Sequence, residues 1–297
     1  MTPRIDSFWL EAFLVVAEEL HFGRAAERLH VGQSPLSQTI KKLEKEIGAQ
    51  LFDRSTRRVS LSAAGHAFVP EARALLHGLQ LGVERAHAAA GEIHGTVRVS
   101  FSGSMNHDTL PRLVSAVAAK HPHIRMECTQ RLLSGDAIRA LENGHVDVAF
   151  TGLPIASPLI ATLPLAEEAH YLLCSMDHPL ARAGRSSCSF RDIAEESFIC
   201  TPQHQGSTLR RVFDETAQAN GVSPAVKYEV ADSSMVMAFV AHGLGVALIP
   251  ECLCAIKPPD THAILLDDVP PLHSALAWRK DNQSEVLRAV LRCAGNQ

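Results

Sequence analysis

The chain lacks the features that would mark it as secreted or membrane-bound. Its first residues show no basic-then-apolar pattern, since acidic side chains such as Asp6 and Glu11 interrupt the hydrophobic ones. The most apolar stretch, residues 235–250, contains a histidine and two glycines and is too short to span a bilayer. We therefore expect a cytoplasmic protein without a membrane partner.

Signs of disulfide, metal or enzyme chemistry are also missing. Seven cysteines show no regular framework, which in a chain of 297 residues indicates free thiols in a reducing compartment. The close pairs His121–His123 and Cys252–Cys254 lack a second pair at a zinc-ligand spacing. The sequence also contains no Gly-x-Ser-x-Gly, phosphate loop or dinucleotide fingerprint. We expect no metal, no cofactor and no catalysis.

Positive charge is scarce overall but concentrated near the start of the chain. The formal net charge is −4, yet residues 41–58 carry six basic against three acidic side chains, and the chain beyond residue 65 is net acidic. A basic head on an acidic body is typical of a protein that binds DNA at one end. The length and the 46% hydrophobic content indicate two or three soluble domains.

Residues 22–47 are predicted to form two short helices joined by a tight turn. The second helix should begin with Ser34 as its N-cap and Pro35 at the first helical position, where a missing N–H costs nothing. Apolar residues that recur at intervals of four and three form one buried stripe on this helix. They are Leu36, Ile40, Leu43 and Ile47.

The opposite face of that helix carries short hydrogen-bonding groups near its start and lysines further on. A DNA recognition helix needs this order, because its first turns meet base edges while later residues reach phosphates. A solvated amphipathic helix is the alternative for this segment taken alone. The residues predicted to contact DNA from this face are Gln33, Ser34, Pro35, Ser37, Gln38, Lys41 and Lys42.

Flanking segments turn these two helices into a winged helix-turn-helix. A preceding helix is predicted over residues 7–20, with an inner face of Leu10, Phe13, Leu14, Ala17 and Leu20. Alternating apolar residues after the recognition helix predict a hairpin with Arg54, Arg57 and Arg58 at its tip, suited to phosphates or a narrow minor groove. We expect an all-α winged helix-turn-helix domain over residues 1–61.

A long helix is predicted next, over residues 62–90, with Ser62 as its cap. Apolar residues such as Leu75 and Leu79 follow at helical spacing, and the segment offers them no core of its own. We expect them to pack against a second copy of the chain; burial against a neighbouring domain is the alternative. Pro70 lies inside this linker helix and should bend it or loosen one turn.

The rest of the chain alternates strand-like and helix-like segments, which predicts α/β architecture. The first helix there is expected over residues 105–120, and the pattern restarts near residue 163. We therefore predict an effector-binding domain, residues 91–297, with a cleft between two lobes. Lobe I would span about 91–162 and 267–297, and lobe II about 163–266.

Three spaced motifs stand in register across the head of the chain: Phe22-x-x-Ala25-Ala26-x-x-Leu29, Gln33-Ser34-x-Leu36-Ser37-x-x-Ile40 and Gly48-x-x-Leu51-Phe52-x-Arg54. This arrangement resembles the DNA-binding head of the LysR-type transcriptional regulators. A later stretch, Gly243-x-Gly245-Val246-Ala247, resembles a signature of the same family's effector domain. The resemblance covers nearly the whole chain.

The resemblance implies a regulator that binds a dyad site in double-stranded DNA, forms a dimer through the linker helix and a homotetramer from dimers, and acts with RNA polymerase. It also implies a two-lobed, periplasmic-binding-protein-like effector domain. A small organic acid between the lobes would switch the geometry of the oligomer on DNA. In the family's aromatic-catabolism branch, a serine near the first strand and a hydroxyl near residue 134 contact the acid.

Helix N-termini that follow strands are the places to look for that acid, because they present free N–H groups and the positive end of the helix dipole. Helix capping alone is the alternative role for their hydroxyl groups. The residues predicted to bind the effector are Ser102, Gly103, Ser104, Met105, Ser134, Thr201, Pro202 and Thr208, with Thr151, Gly152 and Asp232 at the back of the cleft.

Other functions remain open at this point. One branch of the family senses peroxide through a cysteine pair, and here Cys188 and Cys200 are the candidates for such a pair. A solute-binding protein would explain two lobes, but neither it nor an enzyme would explain the basic head.

Overall fold

The computed structural model describes residues 4–55, 58–90, 93–130, 133–203 and 206–295, apart from the side chains at positions 54, 55, 58, 88 and 104. The chain divides into two compact units, Met1–Gly91 and Glu92–Gln297. Among the described residues, no helix is both long enough and apolar enough to cross a membrane.

The amino-terminal unit consists of helices and a two-stranded hairpin. In chain order its elements are α1 (Ser7–Glu19), α2 (Phe22–Arg28), α3 (Gln33–Ile47), β1 (Phe52–Ser55), β2 (Arg58–Leu61) and α4 (Ala63–Ala89). Strands β1 and β2 pair antiparallel, with Phe52 opposite Leu61. The predicted winged helix-turn-helix is thus confirmed.

Phe13 of α1 lies at the centre of this unit's core. Its ring centroid is 5.5 Å from that of Phe52 in the hairpin and 5.3 Å from that of Phe68 in α4. Phe13 is fully buried, and burial of a side chain of this size contributes about 1.5–3 kcal/mol. One aromatic residue therefore joins the first helix to both the hairpin and the linker helix.

Helix α3 begins earlier than predicted. The N–H of Leu36 donates to the carbonyl of Gly32 at 3.1 Å, so Gly32 is the N-cap and Ser34 lies inside the first turn. The expectation that Ser34 caps this helix is therefore wrong. Pro35 is the third helical residue, where its missing N–H still costs no helical hydrogen bond. The apolar stripe is confirmed, since Leu36 and the two stripe residues after it are buried.

The ends of the flanking helices show one further error and one confirmation. Leu20, expected on the inner face of α1, is 45% exposed, because the helix ends at Glu19 and Leu20 turns the chain with a left-handed φ of 48°. Ser62 caps α4 as predicted, since its Oγ accepts the N–H of Gly65 at 3.0 Å. Helix α4 continues through Pro70.

The carboxyl-terminal unit has the expected α/β architecture. In chain order its strands and α-helices are β3 (Gly95–Phe101), α5 (Thr109–Lys120), β4 (Ile124–Gln130), α6 (Ser134–Glu142), β5 (Val148–Gly152), β6 (Ile160–Glu168), β7 (His170–Ser175), α7 (Pro179–Arg182), β8 (Ser187–Cys188), β9 (Ser197–Cys200), α8 (Thr208–Asn220), β10 (Ala225–Glu229), α9 (Ser233–Ala241), β11 (Ala247–Pro250), β12 (Thr261–Leu266), β13 (Leu272–Arg279) and α10 (Glu285–Ala294).

Two lobes with separate sheets make up this unit. A five-stranded sheet in the order β4-β3-β5-β13-β6 forms lobe I, in which β13 runs antiparallel to both of its neighbours. Lobe II contains a four-stranded sheet, β11-β7-β12-β8, and the parallel pair β9-β10. The chain therefore crosses between the lobes after β6 and again before β13.

Two boundaries within this unit differ from expectation. Strand β6 pairs with β13 along its whole length, so residues 163–168 belong to the sheet of lobe I and not to lobe II. The helix expected from Met105 begins only at Thr109. Its predicted first turn is a separate 3₁₀ turn, because Asn106 Oδ1 accepts the N–H of Ser102 at 2.7 Å.

Candidate nucleic-acid interface and ligand cleft

The outward face of α3 carries the residues predicted to contact DNA. Ser34, Gln38 and Lys41 follow one another at intervals of four and three, so they line one side of the helix. Ser37 beside them is half-buried. The exposed members of the predicted set on α3 are Gln33, Ser34, Pro35, Gln38, Lys41 and Lys42.

The arginines of α2 serve a different purpose. Arg28 Nη1 lies 2.8 Å from Glu18 and 3.3 Å from Glu19 of α1, and Arg24 Nε lies 3.1 Å from Glu19. The hydrogen bond from Arg24 lowers the pKa of Glu19. These ion pairs link α2 to α1 at the surface, where such pairs contribute little to stability. The three lysines of α3 are exposed.

The hairpin tip is described only in part. Arg57 lies outside the described residues, and for Arg54 and Arg58 the backbone alone is described. Arg54 pairs with Val59, and Ser55 pairs with Arg58. The backbone therefore places Arg54 and Arg58 at neighbouring pairs of the two strands. Phosphate contacts by the three arginines stay a prediction.

A cavity of about 690 Å³, counting its open mouth, lies between the two lobes of the carboxyl-terminal unit. Residues from both lobes line it, and they include seven of the predicted effector-binding residues. These seven are Ser102, Met105, Ser134, Thr151, Gly152, Thr201 and Thr208.

Asp232, Pro202 and Gly103 do not line this cavity. Asp232 caps α9: its Oδ1 accepts the N–H of Met235 at 3.0 Å, and a hydrogen bond from Ser234 lowers the pKa of Asp232. Pro202 is buried. Gly103 has a left-handed φ of +55°, and a Cβ there would lie 2.7 Å from Gln130 Nε2. The side chain of Ser104 is outside the described part of the chain.

Hydroxyl groups from the two lobes meet across the cavity. Thr208 Oγ1 of lobe II donates to Ser134 Oγ of lobe I at 3.1 Å. Thr201 Oγ1 and Ser207 Oγ, both buried, lie 2.6 Å apart behind them. Gly152 leaves room for Thr208, since a Cβ at position 152 would come within 2.7 Å of its side chain. A ligand can replace this hydroxyl contact with hydrogen bonds of its own.

Four helices begin on the cavity wall, and the first residue of each lines it. They are α5 with Thr109, α6 with Ser134, α8 with Thr208 and α9 with Ser233. Helix starts present N–H groups without helical partners and the positive end of the dipole. At α9 the carboxylate of Asp232 already occupies that end. The α6 start has no side-chain cap, but the carbonyl oxygen of Gly206 accepts the N–H of Gly135 there at 3.2 Å. The hydroxyl groups of Ser134 and Thr208 make the α6–α8 side the place where an anion would find donors.

The predicted set lacked several residues of the lining: Asn106, Thr109, Glu168, Ser207 and Ser274. Ser207 stands beside the predicted Thr208, and its position before a helical segment was the available signal. Ser233, which also lines the cavity, belongs to the Asp232–Ser234 segment that the sequence places at the back of the cleft. Glu168 and Ser274 come from β6 and β13. Only the pairing of these two strands, which no local pattern reveals, places both residues at the cavity.

The candidate cysteines are poor nucleophiles. Cys188 and Cys200 belong to one apolar cluster of lobe II together with Cys174. Burial raises the pKa of Cys174 and of Cys188 to about 11 and that of Cys200 to about 12. Thiols of this kind stay protonated near neutral pH, whereas the thiolate is the reactive form. The geometry therefore favours a ligand site over a thiol sensor.

A winged helix-turn-helix unit followed by a two-lobed unit with a cavity between its lobes defines the class of DNA-binding regulators that carry an effector-binding domain. Residues 8–66 match the model of the bacterial regulatory helix-turn-helix protein, lysR family, and residues 90–297 match the LysR substrate binding domain. The chain belongs to the LysR family of transcriptional regulators. That family consists of regulators and not of enzymes.

Curated relatives match over nearly their full lengths. The chain is 39% identical over 287 residues to the HTH-type transcriptional regulator ShiR of Corynebacterium glutamicum, covering 96% of this chain and 97% of ShiR. It is 31% identical over 284 residues to ClcR of Pseudomonas putida, covering 95% of each chain.

Solved structures share the fold. Full-length CbnR in complex with its target DNA superposes with a TM-score of 0.71 at 24% identity, covering 98% of this chain and 99% of CbnR. The effector-binding domain of QuiR in complex with shikimate superposes with a TM-score of 0.61 at 22% identity, covering 68% of this chain and 95% of that domain.

Proposed function

We propose that this protein is a cytoplasmic, sequence-specific regulator whose assembly on DNA is switched by a small organic acid bound between the lobes. The observation that carries the proposal is the convergence of hydroxyl-bearing helix starts on one cavity of about 690 Å³. Such ends stabilise a carboxylate through N–H groups and dipoles without an opposing cation. Binding needs no covalent chemistry.

The switch would act through the hydroxyl contact between the lobes. An acid that takes over the hydrogen bonds of Ser134 and Thr208 binds one arrangement of the lobes better than another. That difference in affinity is the free energy available to change the oligomer. We propose that dimers, paired into tetramers, are re-spaced on a dyad site and so alter their contact with RNA polymerase.

Dimer formation is proposed for the exposed second half of α4. Its first half packs on the core of its own unit through Phe68 and Ala72. Further along, Leu75, Leu79 and Val83 are more than half exposed and recur every four residues. A helical stripe of large apolar residues is typical of a helix–helix interface.

Replacing Gln38 with alanine is expected to relax sequence choice. A residue that reads a base edge contributes about 1–3 kcal/mol of discrimination between the correct and a wrong base pair. Affinity for the selected site should therefore fall about tenfold, while non-specific binding is unchanged. Titrations on a site selected from random-sequence DNA measure both. Gln218→Ala, an exposed helical glutamine of the other unit, is the matched control.

The complementary change is Arg57→Ala at the hairpin tip. It should weaken binding to all DNA sequences about equally. The slope of log affinity against log salt concentration should fall by about one ion. If Gln38→Ala instead lowers the salt slope while Arg57→Ala changes sequence choice, the assignment of base and phosphate contacts is incorrect.

Replacing Thr208 with valine tests the acid site. It keeps the shape of the side chain but removes the hydroxyl, so acid affinity should fall about tenfold, the value of one hydrogen bond to a charged group. Calorimetry on the full chain with benzoate, succinate and shikimate measures this; shikimate is included because it occupies the QuiR domain. Thr162→Val, an exposed threonine of β6, is the matched control. Absence of binding by every acid would overturn the acid effector.

A further inference from the structure

One charged residue stands among the described residues that line the cavity, and it is an acid. Glu168, the last residue of β6, is partly exposed at the cavity wall. Its Oε2 accepts the N–H of Cys252 at 2.9 Å. Burial, together with a hydrogen bond to Glu168, raises the pKa of the Cys252 thiol, which therefore stays protonated as a donor to the same carboxylate. These contacts fix the direction of the carboxylate.

Glu168 lies at the opposite end of the cavity from the hydroxyl contact. Gly152 on β5 packs against Thr208, and Gly152 is in register with Ser274 of β13. Ser274 is in register with Ala166 of β6, two residues before Glu168. Glu168 is therefore two strands away from the Thr208 end, or roughly 10 Å across the sheet. One six-membered ring with a substituent at each end spans such a gap.

We infer that Glu168 selects the effector by accepting a hydrogen bond from its hydroxyl group, so that the ligand is a ring-sized hydroxy acid with its carboxylate at the α6–α8 end. This inference rests on the proposed acid-binding function. A dicarboxylic acid would set a second negative charge against Glu168, and like charges in a partly desolvated cleft repel. An unsubstituted acid would leave Glu168 without a ligand donor, which such a site discriminates against.

The rest of the lining suits the same chemistry. Ser102, Thr109 and Ser274 each offer a hydroxyl, which can donate to or accept from a ring hydroxyl. Apolar side chains such as Phe150 and Leu165 provide the surface for the ring itself. A ligand with several hydroxyl groups would therefore find partners along its length, while Glu168 sets which end carries the donor.

The test compares four acids on the full chain by calorimetry. They are cyclohexanecarboxylate and its trans-4-hydroxy, trans-4-amino and trans-4-carboxy derivatives. We expect the hydroxy acid to bind at least tenfold more tightly than the parent acid and the dicarboxylate to bind more weakly than both. If the trans-4-amino derivative binds more tightly than the trans-4-hydroxy derivative, Glu168 pairs with a cation. That result would overturn the inference that Glu168 accepts a hydrogen bond from a ligand hydroxyl group.

Glu168→Gln is the informative variant, because glutamine keeps an acceptor for the Cys252 N–H while removing the charge. It should reduce the preference for the hydroxy acid over the parent acid to less than threefold. Glu167→Gln is the control, since its side chain is 67% exposed on the other face of β6. If the variant fails to fold, the comparison of the four acids on the unmodified chain decides.

The outcomes distinguish a failure of this inference from a failure of the proposed acid-binding function. If no acid binds the unmodified chain, the acid-binding cleft itself is contradicted. If parent and hydroxy acid bind with equal affinity and Glu168→Gln changes neither, the cleft binds acids but Glu168 does not select among them.

Discussion

Alanine in place of Gly65 is expected to unfold the amino-terminal unit at a much lower temperature and to abolish DNA binding. A Cβ at position 65 would lie 2.1 Å from the carbonyl oxygen of Leu51 and 2.8 Å from Leu61 Cδ2. The carbonyl cannot easily move away, because it accepts the N–H of Ser62 at 3.0 Å. Ser62 is itself held by a 2.7 Å hydrogen bond from its Oγ to the carbonyl of Gln50.

The cost of this substitution is that of overpacking against the backbone. Such a clash costs about 3 kcal/mol or more, which lowers the melting temperature of a unit of about 90 residues by roughly 15 °C. Calorimetry of the full chain measures the transition, and hydrogen exchange shows whether the lost protection is confined to the helix-turn-helix.

Gly78→Ala provides the control on the same helix. Apart from its chain neighbours and its own helix backbone, no atom of the described residues lies within 4 Å of a Cβ built there, so alanine should stabilise α4 by about 0.5–1 kcal/mol through its helix propensity. Equal melting temperatures for the two variants would mean that the hairpin moves to accommodate the methyl group at position 65. The contact between the hairpin and α4 would then not be fixed.

Aspartate in place of Leu79 is expected to dissociate the dimer. In the single chain Leu79 is 56% exposed, between Leu75 at 54% and Val83 at 53%. Burying a leucine at an interface contributes about 1.5–3 kcal/mol, and a symmetric dimer buries it twice. A carboxylate there would have to be buried without a partner, which is strongly unfavourable.

The effect on DNA binding should exceed the effect of any single base contact. Two heads held together bind a dyad site with an avidity gain of 10²–10⁴, so Leu79→Asp should weaken dyad binding about 100-fold while leaving half-site binding unchanged. Sedimentation velocity and titrations on full and half sites measure this. Ala74→Asp adds the same charge at an exposed position of α4 on a different side of the helix and should leave the dimer intact. A Leu79→Asp protein that sediments as the unmodified chain does would refute an α4 interface.

The amino-terminal unit was largely predictable because its signals are local. The spacing of Leu36, Ile40 and Leu43 fixes which side of α3 is buried, and the polar residues between them are then exposed by geometry alone. The misplaced cap at Ser34 shows the limit of that logic. Gly32 and Ser34 are both acceptable caps, and the choice depends on how the preceding turn packs.

Part of the cleft was predictable from the rule that a residue beginning a helix after a strand can line it. Ser134 and Thr208 satisfy that rule, and the structure brings them within 3.1 Å of each other. Glu168 satisfies no such rule, because β6 was divided between the lobes at residue 163. Its place at the cavity depends on pairing with β13, more than 100 positions further along the chain.

The sequence by itself determined the class of the protein, the helix that faces outward and the stripe left exposed on the linker helix. The class follows from the resemblance of its spaced motifs to a known family, and the other two follow from repeats of three or four residues, a property of one element at a time. The tertiary structure decided which residues meet at the cleft. Strand pairing and the crossing between lobes are interactions between distant segments, and they alone set Glu168 across the sheet from Thr208.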